Sequence, residues 1–236
     1  MRRTRPLAGQ TIVVIGGSSG IGLATARRAR DEGADVIVTG RDAERVHRAG
    51  RELSAGIAAF DATDLARLGK FFDAMPAPID HVLVTVPRLS PVPASTDDVD
   101  AHLSLPLEVA RNAPAGVRPG GSLLFVGCID LHGSAVQSEL VSVLTPALRA
   151  MTERLALDLA PIRVNMIAAG FVDTPLSAAK LGDGLDARRE QLRSSLPIRR
   201  VVDAADVAAL AVHLMTNTAV TGGTFDIDGG QQLVEG

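Results

Sequence analysis

The chain alternates between two kinds of segment. Short runs rich in β-branched and apolar residues occur at Thr11–Ile15, Asp35–Thr39, Ile57–Phe60, His81–Val86, Gly121–Val126, Arg163–Ala168 and Thr224–Ile227. Helix-length stretches at Ile21–Glu32, Ala43–Leu53, Leu65–Ala74, Asp97–Ala113, Glu139–Leu159 and Ala204–Met215 separate them. Runs that are mostly apolar on both faces suit strands covered on both sides, as in a parallel sheet. Parallel neighbours need crossover connections, and these are right-handed. The pattern therefore predicts an α/β fold, a doubly wound parallel sheet of about seven strands with helices on both faces. No composition shift divides the 236 residues, so 1–236 reads as a single domain. Pro87–Ser95 reads as a loop within it. The polar segment 174–198, which closes on Leu196-Pro197 and follows a strand's carboxyl end, reads as a lid or substrate loop.

Composition narrows the function classes. At 46% hydrophobic residues the chain can bury a sizeable core. A net charge of −3 gives no global field toward nucleic acid or anionic lipid, and 3% aromatic residues leave little for stacking on bases. No apolar run reaches the roughly 18 residues of a membrane span. Arg2-Arg3-Thr4-Arg5 lacks a following hydrophobic signal region and reads as a frayed terminus. One cysteine, Cys128, excludes an intrachain disulfide framework and suits a reducing cytoplasm, and with few histidines it argues against a structural zinc site. No metal, nucleic-acid or membrane partner is expected, and a cytoplasmic location is.

The first strand run leads into Gly16-Gly17-Ser18-Ser19-Gly20-Ile21-Gly22. Glycines at 16, 20 and 22 let the backbone turn tightly and approach a pyrophosphate. The helix beginning near Ile21 then offers free N–H groups and a positive dipole end. Strand, glycine turn and helix in that order form a dinucleotide-binding context. The second strand ends at Gly40-Arg41. An acidic residue there would bind a ribose 2′-hydroxyl; glycine removes it, and Arg41 can pair with a 2′-phosphate. Ser18 and Ser19 add hydroxyl donors. The expected cofactor is NADP (NADPH) rather than NAD, the alternative being that Arg41 is a solvated helix-start residue. Asp61, followed by Ala62, ends the third strand and can accept from an adenine amino group or cap the next helix.

On these residues the chain resembles the short-chain dehydrogenase/reductase family over nearly its whole length. Gly16 to Gly22 matches the family's Thr-Gly-x-x-x-Gly-x-Gly loop, with Ile15 at the Thr position. Asp61 falls where the family's adenine-contacting Asp sits. Arg163-Val164-Asn165, followed by Gly170-Phe171-Val172-Asp173-Thr174, is similar to the segment beside the nicotinamide, and Thr221 to Gly230 is similar to the last strand and its turn. The resemblance implies a Rossmann-like domain assembled as a homotetramer or homodimer. It also implies cofactor contacts at Gly16, Ser18, Ser19, Gly20, Ile21, Gly22, Arg41, Asp61, Ala62, Thr85, Val172 and Thr174.

The resemblance breaks at the catalytic centre. The family works with a Ser, a Tyr and a Lys, helped by an Asn, and this chain contains no tyrosine. The family's Tyr-Ser-x-Ser-Lys-Ala-Ala-Leu reads Val141-Ser142-Val143-Leu144-Thr145-Pro146-Ala147-Leu148 here. Val141 thus stands at the Tyr, Thr145 at the Lys and Cys128 at the Ser. Asn-Asn-Ala-Gly reads Thr85-Val86-Pro87-Arg88, the assisting Asn falls near His102, and Pro-Gly is Ala169-Gly170. Val141 has no proton to give, and general acid–base catalysis is worth about 10²–10⁴-fold. The only lysines, Lys70 and Lys180, lie off this helix. Asp130, His132 and Glu139 follow the fifth strand, and His132, with its suitable unperturbed pKa, is a surrogate acid or a surface histidine. Arg88 can bind a pyrophosphate or an anionic substrate, or face solvent. The expectation is an NADP(H)-binding, reductase-like protein with the usual mechanism lost or strongly reduced. Such a protein suits a regulatory or scaffolding role, alone or in a hetero-oligomer with an active relative. The alternatives are an atypical NADPH-dependent oxidoreductase with water or His132 as proton source, and a non-redox enzyme in a repurposed pocket.

Overall fold

The computed structural model of the protein describes residues 5–75, 78–85, 96–128 and 135–234, with 96–102, 128 and 135–143 described by backbone alone. Its main sheet is built from β1 (Thr11–Ile15), β2 (Asp35–Gly40), β3 (Gly56–Ala59), β4 (Ile79–Thr85), β5 (Val117–Cys128), β6 (Arg163–Ala169) and β9 (Thr224–Ile227). A second, two-stranded sheet pairs β7 (Val172–Asp173) with β8 (Val202–Asp203). The main sheet is seven-stranded in the order β3-β2-β1-β4-β5-β6-β9, and every pairing is parallel. Chain order reverses between β1 and β4, which opens a crevice above their carboxyl ends, the usual ligand position in such sheets.

The helices are α1 (Gly20–Asp31), α2 (Ala43–Leu53), α3 (Leu65–Asp73), α4 (Thr96–Gly116), α5 (Ala135–Asp158), α6 (Pro175–Leu181), α7 (Leu185–Ser195), α8 (Ala204–Thr216) and α9 (Gln231–Val234). Alternation along β1 sorts the core. Ile12 and Val14 join Ala26, Ala29, Ala211 and Met215 on the face of α1 and α8. Val13 and Ile15 join Leu68, Phe72, Val109 and Leu148 on the face of α3, α4 and α5. Both faces of β1 are thereby dry, as its unbroken apolar run predicts.

The expected strands are present with ends shifted by a residue or two, except that β5 begins at Val117 rather than Gly121. There Ile79 pairs with Val117 and His81 with Ser122, so a bulge absorbs Arg118 to Gly121. The segment 174–198 departs further from expectation. It is largely helical, folding into α6, a short 3₁₀ turn at Gly182–Gly184, and α7. Its polar residues lie mostly on the outer faces of these helices, Arg188 being buried over the Phe171 ring, while Leu192 and Leu196 pack on Phe171 with Leu181, Leu185 and Val201 at the edge. The β7–β8 pairing, which the sequence reading did not contain, clasps the two ends of this helical cap.

Candidate functional site at the carboxyl edge of the sheet

The glycine turn lies in the crevice. Gly17 N–H donates to Thr39 O at 2.9 Å, and Thr85 Oγ1 donates to Ile15 O at 2.9 Å, which ties the turn to β2 and β4. Gly16 has φ +86°, and a Cβ there would sit 1.9 Å from Thr85 Oγ1. A Cβ on Gly22 would sit 2.3 Å from Gly16 O, so both glycines are required by packing within the turn itself. Gly17, absent from the expected contacts, is as restricted; its Cβ would meet Val14 O at 3.0 Å and Val38 Cγ1 at 2.9 Å.

The N-terminus of α1 is open. Asp42, Asp64, Thr174 and Asp203 close α2, α3, α6 and α8 by accepting backbone N–H bonds through their side chains. Ser19, the N-cap of α1, makes no such bond, and neither does Gly184, which has no side chain and leads from the 3₁₀ turn into α7. The first amides of α1 therefore keep their donors and the positive end of the helix dipole for an external anion.

The adenosine side is built from the ends of β2 and β3. Ser18 Oγ lies 2.6 Å from the position a Cβ on Gly40 would take, so it stands over the end of β2. Arg41 is exposed and meets Asp61 at 3.9 Å. At that distance and exposure the pair contributes little and is easily exchanged for another anion. Asp61 does not cap α3. It accepts from Thr63 N at 3.0 Å and Thr63 Oγ1 at 2.8 Å, while Asp64 accepts from Arg67 N at 3.1 Å as the cap. Ala62 is half-buried beside it. A cavity of about 510 Å³ runs outward from Ser18 and Ser19 between α1 and α2, with Arg45 and Arg48 on one wall and Asp173 and Thr174 on the other.

Val172 and Thr174 reach the same edge. Thr174 caps α6 in a reciprocal box with Ser177, and its Cβ lies 3.7 Å from where a Cβ on Gly20 would be. The upstream part of this motif is elsewhere. Arg163 and Asn165 begin β6, away from its carboxyl end. Buried Arg163 donates to the carbonyls of Leu214, Met215, Asn217 and Val220 at 2.6–3.1 Å, and Asn165 links Val220 O to Gly223 N. These two residues hold the end of α8 rather than a cofactor; only 169–174 reach the site.

Of the positions matched to the catalytic residues, Cys128 ends β5 opposite Ala169. Val141 and Thr145 lie in α5, four residues apart and so on one helix face. Thr145 is half-buried. Glu139 belongs to α5 and His102 to α4, both in stretches described by backbone alone. Arg88, Asp130 and His132 lie outside the described residues. Lys70 and Lys180 are exposed on α3 and α6. The sequence reading named Asp173 only within the run 170–174 and did not single out Arg189. Arg189 on α7 donates to both carboxylate oxygens of Asp173, at 2.8 and 2.9 Å, and to Asp186 at 2.9 Å. No local pattern in the sequence tied Asp173 to an arginine sixteen residues on.

Residues 15–232 match the family model described as enoyl-(acyl carrier protein) reductase. The chain belongs to the short-chain dehydrogenase/reductase family. It is 30% identical to the short-chain dehydrogenase/reductase ATR9 of Stachybotrys chlorohalonatus, over 96% of this chain and 98% of that one. The fold is similar to MalC reductase/Diels-Alderase from Malbranchea aurantiaca, with a TM-score of 0.88, 24% identity, and 98% and 100% of the two chains covered. It is also similar to a short-chain dehydrogenase of Burkholderia cenocepacia J2315 in complex with NADP, with a TM-score of 0.83, 26% identity, and 96% and 99% of the chains covered. Among the described residues no helix is long and apolar enough to cross a membrane.

Proposed function

We propose that this reductase-family chain binds NADP(H) at the glycine turn and has lost the family's usual carbonyl-reductase mechanism. The observation that carries the first half is the open N-terminus of α1, left without a side-chain cap where α2, α3, α6 and α8 have one. The amides of Gly20, Ile21 and Gly22 would hold the pyrophosphate. Arg41, released from its loose contact with Asp61, would pair with the 2′-phosphate beside Ser18. The NADP bound to the Burkholderia cenocepacia relative supports this choice. Asp61 and Ala62 would border the adenine, and Thr85, Val172 and Thr174 would face the other half of the dinucleotide.

Bound NADPH supplies a hydride. What the chain must add is a proton donor at the substrate oxygen, and the absence of tyrosine, with Val141 and Thr145 on the face of α5, removes the donor and the cation that tunes it. The reading therefore favours a regulatory or scaffolding protein, in a homodimer or homotetramer or beside an active relative, in a reducing cytoplasm.

Titration monitored by nicotinamide fluorescence tests the binding half. NADPH should bind at least tenfold more tightly than NADH, and Arg41→Ala should erase the difference, since a charge-assisted bond is worth about 1.5–3 kcal/mol. Equal affinities, or no NADPH binding at millimolar concentration, would overturn it. Rapid turnover across a panel of carbonyls and alcohols would overturn the catalytic half.

A further inference from the structure

We propose that Arg189 and Asp173 form the joint that couples binding of the complete dinucleotide across the glycine turn to the position of the helical cap, making them positioning residues for its nicotinamide half. The inference rests on the nucleotide-site reading above and adds the device that would order its second half.

Residues 172–175 are shared by the turn and by the cap. Thr174 stands at van der Waals distance from the space above Gly20 and is also the first anchor of α6, through the box with Ser177. Ser177 Oγ in addition donates to Val172 O at 2.8 Å, so α6 is fastened to β7 on two sides. Asp173 sits between these contacts. Its backbone pairs with Asp203 in the β7–β8 clasp, and its carboxylate receives the fork of Arg189 from α7. The cap thus leaves the sheet at Asp173, turns through α6, and returns in α7 to grip the residue it started from.

The tie has the geometry of a strong pair. Two parallel N–H···O bonds fix both distance and orientation, which a single contact does not. Both side chains are 29% exposed, against 67% and 85% for the partners Arg48 and Glu44 and 51% for Arg27, Arg48 and Arg27 also lining the cavity. Asp203 is not a competitor for Arg189, because its carboxylate is committed to Ala205 N and Asp206 N. On the other side Arg200 holds Asp206 at 2.7 Å, which fastens the returning strand to α8. With the base fixed, a shift of Thr174 on dinucleotide binding can pass to α7 along α6 and the 3₁₀ turn, through β7 and the Asp173–Arg189 fork, or through the apolar contacts of Phe171 with Leu192 and Leu196.

The helical connection and the apolar contacts are indifferent to a charge substitution, and this separates them from the fork. In the full-length protein, hydrogen exchange of residues 175–195 is measured with NADPH and with 2′,5′-ADP, which keeps the adenosine, the 2′-phosphate and one phosphate at the glycine turn but lacks the nicotinamide nucleotide half. NADPH should slow exchange across α6 and α7, and 2′,5′-ADP should not. Arg189→Gln should bind 2′,5′-ADP as the wild type does, lose about tenfold in NADPH affinity, and lose the NADPH-dependent protection; couplings of this kind are typically 5–150-fold. Asp173→Asn should behave alike, and Arg189→Lys should recover part of the effect. Retained NADPH affinity and protection in Arg189→Gln would overturn the proposal while leaving the nucleotide site standing. Equal losses for both ligands would also overturn it, showing a general structural role. Failure of the wild type to bind either ligand would instead overturn the nucleotide-site reading on which it rests.

Discussion

Acid should weaken this protein through one histidine. His81 in β4 is 3% exposed, with Nε2 2.7 Å from Gln10 Oε1 and Nδ1 2.8 Å from Ser122 Oγ. An amide oxygen only accepts, so the network assigns the proton to Nε2 and leaves Nδ1 to accept from the Ser122 hydroxyl. The ring is satisfied as the neutral tautomer. Burial, and then the guanidinium groups of Arg163 and Arg118, push its pKa from 6.5 down to about 3. Between those values the unfolded chain binds a proton that the folded one does not, so stability falls as pH falls through the window. At about 1.4 kcal/mol per pH unit, the loss is about 2 kcal/mol at pH 5 and approaches about 5 kcal/mol near pH 3. Urea unfolding of the wild type and His81→Gln at pH 7.5 and pH 5.0 isolates this, because other titrating groups are common to both. The variant should be the less stable at pH 7.5, where it loses a hydrogen bond, and should regain about 2 kcal/mol relative to the wild type at pH 5.0. Parallel pH dependences in the two proteins would refute the reasoning.

Arg163→Met should lower stability by about 3 kcal/mol or more, because it strips the carbonyls at the end of α8 of a buried cation that satisfies them together; thermal and urea unfolding read this directly. Gly22→Ala should impair folding or abolish nucleotide binding, since its methyl would overlap Gly16 O; a variant with wild-type melting temperature and NADPH affinity would contradict the turn geometry. Restoring the matched residues in one chain, Cys128→Ser with Val141→Tyr and Thr145→Lys, should raise carbonyl reduction by about 100-fold or more over the wild type; an active wild type that does not improve would argue that its chemistry runs through other groups.

The main sheet was legible because its strands are buried on both faces and therefore carry continuous apolar runs, and because Gly16, Gly20 and Gly22 mark a tight strand-to-helix turn in which a Cβ on Gly16 or Gly22 would overlap neighbouring atoms. The helical character of 174–198 was not, since α7 buries little beyond Arg188 and Leu192 and so shows a weak apolar stripe in a stretch rich in charge. The β5 start was missed because Arg118-Pro119-Gly120 reads as a turn and is in fact a bulge against β4. Arg163 looked like part of a cofactor motif by sequence neighbourhood, but seven residues of parallel strand separate the two ends of β6, and only the carboxyl end belongs to the site. The Asp173–Arg189 fork joins two segments that are adjacent only once the cap has folded.

A phosphate site and a proton-transfer site age differently because they are made of different parts. The turn from Gly16 to Gly22 offers main-chain amides, and any sequence that keeps the glycines and the helix start keeps the donors. The catalytic positions offer side chains alone, so under the proposed reading a valine at position 141 in place of tyrosine would delete a proton donor without disturbing α5, where the two residues have similar helix propensity. A chain can therefore lose hydride chemistry while its nucleotide cradle, its sheet and its cap stay intact. That order of loss is what a chain with an open α1, an arginine at the end of β2 and no phenol anywhere supports: a protein whose remaining response to NADP(H) would be a change of shape, transmitted through residues 172–175, rather than a turnover.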